Sequence, residues 1–184
     1  DYYEQVHVTR DGLTLQGRNG NFMETTYLRQ SEPADLPLAF SYEGVDYYPF
    51  ILVDGATDVT VDEIFIVSDS GWTGPGRIVG VGYWNSGGLV SDMYIHNLIE
   101  TTPTDPFSGI GIFAATDDTA GPLTVDCQRD TVSTFQRGGA VFMGSELTGS
   151  VSGLHLSGSA GDEVYLIEYG AGARGLVTGF VGGR

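Results

Sequence analysis

The sequence predicts an all-β chain wound as a solenoid of short stacked strands, and three observations carry that prediction. Glycine fills 28 of 184 positions, and Val, Ile and Leu fall in short runs between turn residues. No window keeps a 3.6-residue apolar period through three helical turns. Two series of strand-like segments interleave along the chain at a shared spacing of roughly thirty residues.

The first series is VTVDEIFIVS (59–68), LVSDMYIHNL (89–98), LTVDCQRDTV (123–132) and SVSGLHLSGS (150–159). Each opens with an apolar strand start, passes a short polar step, and ends in an apolar–x–apolar triplet. The triplets are Ile64-Phe65-Ile66, Met93-Tyr94-Ile95, Val125-Asp126-Cys127 and Leu154-His155-Leu156, with last members 29, 32 and 29 residues apart. The polar step, Asp62-Glu63 or Ser91-Asp92, is expected at a corner, facing water while the flanking aliphatics stack inward. The second series is RIVGVGYW (77–84), GIGIFAAT (109–116), GGAVFMGS (138–145) and DEVYLIEYG (162–170). Its strands are apolar at alternate positions of both faces, as in Gly82, Phe113, Val141 and Met143, and so are expected to be buried on both sides. The covering element would be the 21–49 segment, a neighbouring domain or another protomer.

Charge narrows the partners. The chain carries 24 Asp and Glu against 8 cations, all of them arginine, for a formal net charge of −16. Nucleic acid and anionic membrane surfaces are therefore unexpected partners, since both reward clustered positive charge. The acid-rich, lysine-free composition is what a high-salt or a high-GC source would give. No run approaches the ~18 apolar residues of a membrane span, and Cys127, the single cysteine, has no internal partner for a disulfide.

The stretch YYEQVHVTRDGLTLQGRNG (2–20) resembles the opening coil of right-handed parallel β-helix proteins of the pectin-lyase-like superfamily, and FILVDGATDVTVDEIFI (50–66) resembles their repeating coil. The resemblance implies a single right-handed parallel β-helix domain over 1–184, of about five coils. Residues 21–49, with three prolines and several aromatics, fit no coil and read as one long inserted loop.

If the triplets stack in register, their middle residues form an outward ladder about 4.8 Å per step, reading Phe65, Tyr94, Asp126, His155. A second column two residues on reads Val67, His96, Gln128, Ser157. Phe65, Tyr94 and Gln128 are the candidate sugar-binding residues, and Asp126, His155 and His96 the candidate proton-transfer groups. A carboxylate beside an imidazole would hold it as an acid or orient it as a base. The superfamily resemblance adds Arg129 or Arg137 as a candidate base of the eliminating kind, with calcium as the associated ion and Asp92, Asp126 and Asp130 as oxygen ligands. No metal-ligand spacing, phosphate loop or nucleophile elbow is present. His7 is expected to be an ordinary outward strand residue, and Asp117-Asp118 a turn.

Two function classes follow. One is a secreted or cell-surface enzyme acting on a polysaccharide as a lyase, hydrolase or epimerase. The other is a non-catalytic β-helix module that binds glycan or builds a fibre or surface layer, self-associating through open coil ends or the apolar second face.

Overall fold

The computed structural model describes residues 1–18, 25–69, 71–100, 109–117, 119–158, 165–179 and 181–182. The chain winds in right-handed coils of three strands. The first coil has β1 (Val6–Val8), β2 (Thr14–Gln16) and β3 (Tyr27–Gln30), and is followed by β4 (Phe40–Tyr42). The second has β5 (Val45–Asp54), β6 (Val59–Asp62) and β7 (Phe65–Ser68). The third has β8 (Arg77–Trp84), β9 (Gly88–Ser91) and β10 (Tyr94–Leu98). The fourth has β11 (Ile110–Ala115), β12 (Leu123–Gln128) and β13 (Thr131–Phe135). The fifth has β14 (Gly138–Met143), β15 (Leu147–Ser152) and β16 (His155–Ser157), and the sixth has β17 (Tyr165–Gly170), β18 (Arg174–Thr178) and β19 (Val181–Gly182).

Corresponding strands stack into three sheets, each with a path of six parallel strands, so the expected count of about five coils holds to within one. The first sheet is β1-β5-β8-β11-β14-β17, the second β2-β6-β9-β12-β15-β18, and the third β3-β7-β10-β13-β16-β19. The second strand series of the sequence is the core of the first sheet, and the first series supplies the other two.

The corner between second and third sheets explains the paired acids. Glu63, Asp92 and Arg129 occupy it with φ of 55°, 52° and 59°, and Gly153 and Gly179 hold it in the last two coils. A single left-handed residue turns the chain there, after which the strand restarts one sheet further round. Asp62, just before the turn, faces outward and accepts a hydrogen bond from the Ser91 hydroxyl at 2.6 Å in the coil above.

Inside each coil, large and small residues of facing strands complement one another. Tyr83, Ala114, Phe142 and Tyr169 form one inward column of the first sheet. Gly88, Val125, Gly149 and Gly175 form an inward column of the second. A Cβ on Gly149 would lie 2.3 Å from the Phe142 ring, and one on Gly175 would lie 2.2 Å from the Tyr169 ring. Gly149 and Gly175 stand where the opposite strand sends a ring, and Val125 stands where it sends only Ala114. The buried phenols satisfy their hydroxyls across the coil: Tyr83 donates to the Val59 and Leu89 carbonyls, and Tyr169 to that of Gly149 at 3.0 Å. Cys127 packs in the same interior between Val90 and Val151, and burial pushes its thiol up.

One expectation is corrected. Residues 27–30, assigned to the inserted loop, form the first strand of the third sheet, because Tyr27-Leu28-Arg29-Gln30 alternates in phase with Phe65-Ile66-Val67-Ser68. The insertion proper is the stretch that carries the 3-10 turn Pro33–Asp35 and β4. That insertion covers the first sheet: β4 folds back on β5 as an antiparallel hairpin whose turn residues Glu43 and Gly44 both have positive φ. Phe40 then stacks on Tyr47, Trp84 and Phe113 at 5.4–5.6 Å, and the outer column Leu52, Phe113 and Val141 is buried. Of the three coverings considered, the 21–49 segment supplies one, its hairpin lying on this face.

Candidate functional site

The outer face of the third sheet carries no hairpin among the described residues. Its first column runs Tyr27, Phe65, Tyr94, Thr131, His155, and its second runs Arg29, Val67, His96, Ser133, Ser157. Parallel registry places like positions one strand spacing apart, so Tyr27 and Phe65 lie 5.3 Å apart and Phe65 and Tyr94 5.1 Å, centroid to centroid. The rings are tilted by 50° and 31° rather than face to face, an ordinary preference of aromatic neighbours that leaves ring surface turned to water. Tyr94 is 36% exposed.

His96 widens the row. Its imidazole lies 6.2 Å from the Tyr94 ring and within 24° of parallel, and its Nδ1 is 2.8 Å from the Ser133 hydroxyl in the next coil. The guanidinium of Arg29 lies 5.3 Å from the centre of the Tyr27 ring at the other end of the row. Thr131 and His155 continue the first column with polar side chains, His155 exposed.

Asp126 and Gln128 do not belong to these columns. Both sit on β12 in the second sheet, Asp126 beside Leu89 and Ser150, Gln128 beside Ser91 and Ser152. Thr131 and Ser133 take the places expected of them. The reason is the identity of Asp130, which stacks at the corner where other coils have Ile64, Met93 and Leu154. With an acid at the triplet's apolar start, Asp130-Thr131-Val132 escapes an apolar–x–apolar search, and Val125-Asp126-Cys127 takes its place. The true spacings are 29 residues from Ile66 to Ile95, 37 from Ile95 to Val132 and 24 from Val132 to Leu156. Asp126 and His155 therefore lie on different sheets, and the acid–imidazole pair expected of them is not formed.

Asp130 is fully buried. One carboxylate oxygen accepts the Met93 N–H at 3.0 Å, and the other has no hydrogen-bond partner among the described residues. Burial drives its pKa well above the usual carboxylate range, opposed by the Met93 N–H and reinforced by Asp92.

Arg129 projects from the corner onto Asp92, with contacts of 2.9 Å from Nε and 2.5 Å from Nη2. This pairing holds Asp92 below its ordinary pKa and raises that of Arg129, so the guanidinium stays protonated and is a poor base. The three acids considered for calcium point to three places: Asp92 to Arg129, Asp126 to the Ser150 hydroxyl, Asp130 into the core. They do not fit a shared cation, and among the described residues no three His, Cys, Asp or Glu side chains gather in metal-binding range.

A separate groove of about 470 Å³ lies on the second sheet, floored by Gly87 and Gly88 and lined by Asp58, Thr60, Asp126 and Gln128. His7 is exposed on β1, its Nε2 3.3 Å from Asp54. Asp117 accepts the Thr119 N–H and hydroxyl as a turn residue, and Asp118 lies outside the described residues.

Comparison with models of protein families, with curated proteins and with solved structures finds no match to this chain.

Proposed function

We propose that the outer face of the third sheet binds a polysaccharide laid along the solenoid axis, and that the chain is a non-catalytic glycan-binding module of the pectin-lyase-like β-helix type, working outside the cell. The carrying observation is the row Tyr27, Phe65, Tyr94, stacked at 5.1–5.3 Å on a sheet face over which no other element folds among the described residues. Sugar rings pack their C–H faces on aromatic surface, and their hydroxyls require nearby donors and acceptors. Thr131, His96 and His155 supply those in the same two columns. Binding is favoured over cleavage because the proton-transfer pair is divided between two sheets.

Affinity electrophoresis through gels cast with a range of polysaccharides tests this. At least one polymer should retard the protein, and Tyr94→Ala should abolish the retardation. Free migration of the wild-type protein in every gel would overturn the reading.

A catalytic reading has one observation in its favour, the groove where Asp58 and Asp126 line the same space with Gln128. It predicts new reducing ends or unsaturated products from a polysaccharide, lost in Asp126→Asn.

A further inference from the structure

We infer that the glycan taken by this face is uncharged, and that polyuronates are rejected. The inference rests on the proposed glycan-binding role of the third sheet and concerns which class of polymer that face selects. Recognition of a polyuronate calls for guanidinium or ammonium groups free to meet its carboxylates. Arg29, within the second column, and Arg129, at the corner beside the columns, each already hold a carboxylate of the protein. Arg29 contacts Asp69 at 2.5 Å and Asp1 at 3.4 Å. Arg129 contacts Asp92 through two nitrogens.

Glu63, at the corner beside the columns, adds another acid, so among the described residues named here the carboxylates of Asp1, Asp69, Asp92 and Glu63 outnumber the guanidiniums of Arg29 and Arg129. A uronate reaching Arg29 or Arg129 would replace one carboxylate by another, with little gain. It would also approach a chain whose formal net charge is −16. Beyond the rings, Arg29 and Val67, the columns present hydroxyls and imidazoles: Thr131, Ser157, His96 and His155. These suit sugar hydroxyls.

The test compares neutral β-glucan, xylan and mannan with polygalacturonate and alginate at low and high salt, using the whole chain. The expected result is binding to a neutral polymer ~10-fold or more tighter than to either polyuronate at low salt, with little change in the neutral affinity at high salt. A wild-type protein that binds a polyuronate as tightly as any neutral polymer would overturn this inference and leave the glycan-binding role standing. Binding to no polymer of either class would overturn the role itself.

Asp92→Asn supplies the second arm. It keeps a residue that tolerates the left-handed corner and removes the charge that occupies Arg129. The variant should acquire measurable, salt-sensitive binding to polygalacturonate, and its failure to gain any while remaining folded would overturn the charge argument.

Discussion

Two faces of this solenoid carry aromatic side chains, a cluster drawn from different register positions on the first sheet and a registered row on the third, and among the described residues only the first is covered. On the first sheet Tyr47, Trp84 and Phe113 lie beneath Phe40, held there by a hairpin that leaves Phe113 and Val141 fully buried. On the third sheet Tyr27, Phe65 and Tyr94 form a row of similar composition with no described element laid across it. The residue types are nearly interchangeable. What separates a structural cluster from a recognition surface is therefore the covering segment, and an aromatic count along the sequence cannot distinguish the two.

The comparison can be broken most severely at the cover. Phe40→Ala removes the ring that touches Tyr47, Trp84 and Phe113, and should cost about 3–5 kcal/mol, read as a drop in the urea midpoint, with new binding of a hydrophobic dye. Gly149→Val should cost about 1–3 kcal/mol by overpacking against Phe142, checked by the same denaturation, and should leave polysaccharide retardation intact in the folded protein.

Asp130 sharpens the comparison by placing a polar group on the wrong side of the wall. Its folded pKa is raised, so the folded state holds the proton more tightly than the unfolded chain. The contribution is fully present below the ordinary carboxylate pKa and is lost as pH rises toward the elevated folded value. Asp130→Asn should flatten that part of the stability–pH profile and stabilise the protein by about 1–2 kcal/mol at neutral pH. A profile of unchanged slope would contradict the buried-acid account. At the small end, Tyr94→Ala should change stability by less than about 1 kcal/mol, since the ring is exposed, while removing glycan binding.

Much of this was legible in the sequence. RIVGVGYW, GIGIFAAT and GGAVFMGS contain β8, β11 and β14 almost to the residue, because strands buried on both faces leave continuous apolar runs. The broken alternation at Asp62-Glu63 and Ser91-Asp92 marks real corners. Phe65, Tyr94 and His155 share a column as expected. The column failed at Asp126 because a constant period was imposed on coils of unequal length, and because an aspartate occupies an inward position that patterning reserves for aliphatics. Tyr27 was missed for a related reason: four residues are too few for periodicity to stand out, and its partner strand lies 38 positions further on. Which of two aromatic faces stays open depends on where one hairpin lands, a long-range outcome with no local signature.

The pairing of Phe142 with Gly149, and of Tyr169 with Gly175, has an evolutionary corollary. Bulk and its matching hollow are encoded a few residues apart within one winding, so a duplicated or deleted winding would bring its own steric complement with it. A gene built this way can lengthen or shorten by whole turns without redesigning the neighbouring storeys.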